Sequence, residues 1–164
     1  MTQKYGSLAA AFEAVITTFN LRVPGFVIDK LIGAWNKNTL LAKLYDETIE
    51  MLEELKKEYK LVLICNTDPF SVPAVLDKYD LRKYFDVVML SCETGFLKSD
   101  PRSYMSALQQ LDADAADAVM VGDSLESDMR SAEQAGIKGI LIDRRGKQEY
   151  PAKIGTLRDV KVSL

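Results

Sequence analysis

The hydrophobic pattern predicts an α/β protein, with a parallel sheet covered by helices on both faces and an all-helical stretch in front of it. Two observations carry this. Residues 7–59 space their apolar side chains at helical intervals, with no strand-like run among them. From residue 61 onward, continuous apolar runs of strand length alternate with helical stripes across short connections. Continuous rather than alternating apolar runs mark strands buried on both faces, and these occur in parallel sheets packed between helices. A length of 164 residues suffices for one well-packed domain with a small appendage.

The elements follow in order. Leu8, Ala11, Phe12, Val15, Ile16 and Phe19 line one face of a helix over 7–20, with Ser7 placed to cap it. Pro24-Gly25 punctuates the chain, and Ile28, Leu31, Ile32 and Trp35 form a second stripe. A third helix is expected over about 40–59 from Leu41, Leu44, Tyr45, Ile49, Leu52, Leu55 and Tyr59. The first strand is Leu61–Cys65, closed by the turn signal Asn66-Thr67-Asp68-Pro69, and a helix follows at about 71–79. Phe85–Leu90 is the second strand, leading into a loop over 91–99. Asp100-Pro101 reads as an N-cap with proline at the first helical position, opening a helix that buries Tyr104, Leu108 and Leu111. Ala118–Val121 is the third strand, followed by a helix at about 125–135 that stops at Gly136. Gly139–Asp143 is the fourth, and Leu157 and Val160 belong to a short closing element. The result is a Rossmann-like β-α-β-α-β-α-β order.

Composition narrows the chemistry. The net charge is −3 with basic residues scattered, so neither a nucleic-acid stripe nor a polybasic membrane patch is expected. No apolar run approaches the roughly 20 residues of a membrane span, and the N-terminus has no signal-peptide core. Cys65 and Cys92 both lie beside apolar strands and read as reduced core thiols of a cytoplasmic protein, although the sequence leaves a disulfide open. Histidine is absent, which excludes Ser-His-Asp and Cys-His catalysis and histidine-ligated zinc within this chain.

Three polar clusters lie just past predicted strand ends: Cys65-Asn66-Thr67-Asp68, Lys98-Ser99-Asp100-Pro101, and Gly122-Asp123-Ser124 with Glu126 and Asp128. Strands of a right-handed parallel sheet end on one rim, so the clusters should converge there. Together they offer what a phosphoryl group needs. Hydroxyl, amide and backbone N–H donors hold its oxygens, a lysine neutralises its charge, and carboxylates hold Mg²⁺, a hard cation that takes one or two protein carboxylates plus waters and phosphate.

Leu63-Ile64-Cys65-Asn66-Thr67, Lys98-Ser99-Asp100-Pro101 and Gly122-Asp123-Ser124-Leu125-Glu126-Ser127-Asp128 resemble, in order and interval, the second, third and fourth motifs of the haloacid-dehalogenase-like (HAD) hydrolases. The Ala132–Gly136 helix end agrees as well. The resemblance implies a HAD-like α/β core over 55–164 and a helical cap subdomain over 1–54. It implies a Mg²⁺-dependent phosphatase acting on a small phosphorylated metabolite. Asp123 would be the principal Mg²⁺ carboxylate and Asp128 a direct or indirect metal partner. Cys65, Asn66, Thr67 and Lys98 would bind phosphate, with Lys98 also steadying the nucleophile. The bland alternatives stand beside these roles: Asp123 and Asp128 as helix-start carboxylates, Lys98 as a solvated lysine, Asn66 and Thr67 as turn formers.

Two departures matter. Cys65 stands where the family usually has Ser or Thr, and a thiol is a weak donor. The first motif, an apolar strand closed by Asp-x-Asp whose first Asp attacks phosphorus, is missing. Phe26-Val27-Ile28-Asp29 is followed by Lys30-Leu31, and no strand precedes Asn38-Thr39-Leu40. The chain alone is therefore expected to be inactive and to bind Mg²⁺ weakly or not at all. The absent strand would lie between 61–65 and 118–121, so these two strands are expected either to close on each other or to leave a slot. A second copy or a separate partner chain could fill such a slot, which makes a non-catalytic docking module the alternative function.

Overall fold

The computed structural model describes residues 5–163. Two helices open the chain, α1 (Leu8–Thr18) and α2 (Gly25–Leu41). Ser7 caps α1 as expected, its Oγ accepting from Ala10 N–H at 3.1 Å. Neither helix buries a residue, so the apolar stripes that define them remain half-exposed or exposed. The third helix differs from expectation. Residues 42–47 form a non-helical linker, and α3 spans only Thr48–Leu55. Leu44 packs into the core from that linker, while Tyr45 lies beneath the guanidinium of Arg144, 3.6 Å from the ring centre. Linker contacts of this kind override the helical spacing of Leu41, Leu44 and Tyr45.

The α/β part runs β1 (Val62–Cys65), α4 (Val72–Lys78), β2 (Val87–Leu90), a single turn α5 (Ser91–Thr94), α6 (Pro101–Leu111) and β3 (Val119–Gly122). After it come a π-wound turn (Leu125–Arg130) continuing into α7 (Ser131–Gln134), β4 (Lys138–Ile142), β5 (Lys153–Ile154) and α8 (Val160–Ser163). Asp100 caps α6, accepting from Arg102 N–H at 3.0 Å with Pro101 at the first helical position. Gly136 closes α7 at φ +76°, and Ile137 N–H reaches back to the Ala132 carbonyl, a left-handed stop that glycine adopts without a Cβ clash. Three features escape hydrophobic periodicity: α5 in the expected loop, the π winding at 125–130, and the two-residue strand β5.

The strands are all parallel, but they form two sheets rather than one. β1 pairs with β2, in register Val62↔Val87 to Cys65↔Leu90, and β3-β4-β5 form the other sheet. β1 and β3 do not pair with each other. Their exposures agree: every residue of both strands is only half-buried, whereas Val87, Met89 and Leu90 of β2 and Ile140 and Leu141 of β4 are buried.

Helices hold the halves together. On one face, Ile49 and Leu52 of α3 pack with Leu63, Cys65, Leu76, Tyr84 and Leu90, while Leu55 of the same helix packs with Val119, Val121 and Ile140. On the other, Ala107 and Leu111 of α6 pack with Val62, Ile64 and Met89, and Tyr104 and Leu108 pack with Ile64, Met120, Ala132 and Ile137. Each fully buried aliphatic or aromatic side chain contributes about 1.5–3 kcal/mol. The junction therefore rests on side-chain burial instead of a hydrogen-bonded ladder.

Candidate functional site

The loops that follow β1, β2 and β3 meet on one rim, and their contacts start from the backbone. β1 ends in the exposed Asn66, whose Oδ1 accepts Lys98 N–H from the β2–α6 loop at 2.7 Å. The Lys98 ammonium reaches the loop after β3, where Nζ lies 2.5 Å from Asp128 Oδ1. Asp128 Oδ2 accepts the N–H groups of Asp123 (3.0 Å) and Ser124 (3.1 Å). Three loops from distant parts of the chain are thus joined through Asn66, Lys98 and Asp128.

The loop after β3 needs glycine. A Cβ on Gly122 would lie 2.5 Å from Asp128 Cγ, so any side chain there would expel the carboxylate. Ser124 caps the π-wound turn by accepting Ser127 N–H at 3.1 Å, which sets Asp128 back over the loop's amides. Tyr104 of α6 steadies the turn from below, its hydroxyl donating to Ser127 O at 3.2 Å. Burial, then the nearby Asp128 charge, pushes the Tyr104 phenol up to about 12, so it remains a donor.

Asp128 is 1% exposed and Lys98 16%, a desolvated pair whose cost is offset by mutual attraction and by the two backbone N–H bonds. Asp123 is exposed, and its carboxylate takes part in none of these bonds, while its backbone carbonyl accepts from Gln148 Nε2 at 3.0 Å. An exposed carboxylate such as Asp123 fits a Mg²⁺ that keeps most of its waters. Among the described residues, no group of three or more Cys, Asp and Glu side chains is arranged to hold a metal.

Cys65 and Cys92 are thiols. Burial pushes the Cys65 thiol above its ordinary value, opposed by the Lys98 charge, and its Sγ lies 3.6 Å from Asn66 O. A thiol held protonated is a poor nucleophile. Thr67 turns inward: Oγ1 donates to Asp68 O at 3.0 Å and accepts Val72 N–H at 3.3 Å. Its backbone N–H goes to Ser91 Oγ at 2.9 Å, and Ser91 donates back to Thr67 O at 3.1 Å. Ser91, Gln148 and Tyr104 therefore shape the rim. The sequence reading placed Tyr104 in the core and gave Ser91 and Gln148 no role, and the spacing of neither residue signals one.

The chain's one literal Asp-x-Asp, Asp112-Ala113-Asp114, lies between α6 and β3, at the opposite end of β3 from the rim. On the rim's helical side, Trp35 Nε1 of α2 donates to Ser71 Oγ (2.8 Å), which donates to Asp68 Oδ2 (2.6 Å). Two open clefts of about 330 and 550 Å³ lie along this α2–α4 seam, lined by residues such as Trp35, Asn38, Phe70 and Val75.

Comparison with known proteins agrees with this geometry. The family model of the haloacid dehalogenase-like hydrolases matches residues 13–136, well over half of the chain. A phosphoserine phosphatase from Thermus thermophilus is 32% identical over 123 residues, 71% of this chain and 49% of that protein. An N-acylneuraminate-9-phosphatase from Mus musculus is 31% identical over 105 residues, 63% of this chain and 42% of that protein. The chain spans about half the length of the curated relatives it matches. Among solved structures, a HAD phosphatase from Thermococcus onnurineus superimposes with a TM-score of 0.72 at 25% identity, over 97% of this chain and 73% of that one. Parallel strands between helices, three loops joined at one rim and the matched family model lead to one conclusion: the chain belongs to the haloacid dehalogenase-like hydrolases.

Proposed function

We propose that this chain carries the phosphate- and Mg²⁺-binding rim of a phosphatase for a small phosphorylated metabolite, and that by itself it does not turn over. The observation that carries the reading is the Asn66–Lys98–Asp128 connection, which sets a lysine ammonium and loop amides at one edge of the sheet. Relatives that are phosphatases support the reaction class. Asn66 and Lys98 hold and neutralise the phosphoryl group, and Cys65 adds only a weak donor. Thr67, with its hydroxyl committed to the turn, contributes through the backbone. Asp123 holds Mg²⁺, which when bound withdraws charge from the phosphoryl oxygens. Asp128, with both oxygens engaged, positions Lys98 and the loop and so meets the metal indirectly. Among the described residues no apolar strand ends in an Asp-x-Asp pair, hence the absence of turnover. Within the stretch 1–54 expected as a cap, α1 and α2 serve that role while α3 packs with the α/β core, and the two thiols suit a reducing cytoplasm.

Calorimetry with inorganic phosphate and Mg²⁺ tests the site. Binding should be weak, in the millimolar range, and Lys98→Met should weaken it at least about tenfold, equivalent to about 1.4 kcal/mol. Equal binding by the variant would remove the reading. In parallel, p-nitrophenyl phosphate with Mg²⁺ should show no turnover above background. Turnover that Asp123→Ala abolishes would mean that the chain contains a nucleophile after all.

A further inference from the structure

We infer that the outer face of α2 is a self-docking surface, on which a second copy of this chain seats its own α2 antiparallel across a two-fold axis at Gly33. Gly33 is the midpoint of α2 (Gly25–Leu41). Positions three, four and seven residues to either side share its face of the helix. That face is turned away from the apolar stripe of Ile28, Leu31, Ile32 and Trp35, of which Trp35 packs on Phe12 of α1. Every residue on the outer face is exposed. Its contents are arranged symmetrically. Phe26 (33 − 7) and Leu40 (33 + 7) are its apolar ends, 60% and 71% exposed. Asp29 (33 − 4) and Lys37 (33 + 4) carry opposite charges at equal spacing from the centre. Among the described residues, neither of these two has an ion-pair partner within the chain. Lys30 (33 − 3) is mirrored by the neutral Asn36 (33 + 3), so no like charges are set against each other.

A two-fold axis makes an interface isologous, so a residue before the centre meets its mirror position on the other chain. Here that sets Asp29 against Lys37 of the second copy, and Lys37 against Asp29 of the second copy, two ion pairs from one sequence. Phe26 and Leu40 meet in the same reciprocal way. Leu40 also lines the open cleft of about 550 Å³ together with Phe70 and Ala74, which gives the Phe26 ring of the second copy an apolar seat. At the centre, a Cβ on Gly33 would meet nothing within 4 Å in its own chain. The fold itself therefore does not call for glycine, which is less stable than alanine in a helix interior. Helices that cross at a residue without a side chain approach closely, and this brings the flanking pairs into reach. A face whose charges complement their own reversed order selects a copy of this chain over a uniformly charged partner.

Sedimentation equilibrium of the whole chain, over a concentration series reaching the millimolar range, tests this without recourse to phosphate or Mg²⁺. It stands or falls apart from the phosphatase reading. The chain should pass from monomer to dimer as concentration rises. Asp29→Lys and Lys37→Asp each set like charges face to face and should weaken dimerisation at least about tenfold. An equimolar mixture of the two variants should recover the lost affinity, because each then supplies the charge the other lacks. Gly33→Gln should also weaken the dimer at least about tenfold by holding the helices apart, while the helical circular dichroism stays intact. Three results would each overturn the proposal. These are a monomer at every concentration, a dimer that the charge variants leave as tight as before, and a mixture that associates no better than either variant alone.

Discussion

At Asp128 a charge sits almost entirely out of water, held by one ammonium and two backbone amides. Removing one partner from such an arrangement strands the others, and this is what makes buried pairs expensive to break. Asp128→Ala should therefore cost about 3–5 kcal/mol, losing the Lys98 counter-charge together with the acceptor for Asp123 and Ser124 N–H. Asp123→Ala, five residues earlier on the exposed side of the same loop, should stay within about 0.5 kcal/mol. Urea unfolding of the two variants checks the contrast, and similar losses for both would contradict the division between positioning and ligand carboxylates. The spacing of Gly122, Asp123 and Asp128 after an apolar run marks this loop in the sequence. The different settings of its two carboxylates are not legible there, because they depend on the π winding that swings Asp128 back over the loop's amides while Asp123 faces solvent.

Among the α-helices, α1 and α2 stand apart in having no buried residue. They pack on each other through Phe12 and Trp35, with ring centroids 6.2 Å apart, and meet the α/β part through polar contacts: Trp35 to Ser71, and Lys78 and Tyr79 to the Leu40 and Ala42 carbonyls. Segments with few buried apolar contacts open at low free energy. Amide exchange in 8–18 and 25–41 is accordingly expected to be at least about tenfold faster than in β4, with the first proteolytic cuts at 19–24 or 42–46. Equal protection across the chain would refute this. Helical periodicity found both helices but could not tell that their apolar faces stay uncovered, since periodicity records a face and not what lies against it. The short elements were illegible for a related reason: β5 exists through the acceptors it offers Leu141 and Asp143, contacts that a two-residue stretch does not encode.

Across the whole molecule, the linker ahead of α3 is clasped to the C-terminal region. Glu47 accepts from Arg144 at 2.7 Å and from Thr156 at 2.9 Å, and Arg158 and Lys161 pair with Glu50 and Glu54 of α3 and with Glu58 just beyond it. Bonding to backbone N–H, then Arg144, lowers the Glu47 carboxyl from 4.5 to about 2. A depressed carboxyl stabilises the fold above its unfolded value and loses that contribution as the pH falls toward its folded value. Thermal stability should thus decline from about pH 4.5 to about pH 2, and Glu47→Gln should flatten that decline while lowering stability at pH 7. A wild-type and variant decline of equal steepness would show that the clasp does not titrate. The α/β order of this molecule could be read in advance because continuous apolar runs report directly on strand sequence. That the halves would stay apart could not, since it depends on how α3 and α6 span them. The separation also bears on how the chain acquires its structure. Pairing partners lie 25 residues apart between Val62 and Val87 (87 − 62) and 19 between Val119 and Lys138 (138 − 119), so each half-sheet closes over a short loop. Short loops are the quick ones to close. Each half-sheet is therefore expected to close ahead of their docking beneath α3 and α6, a step that waits on side chains rather than on strands.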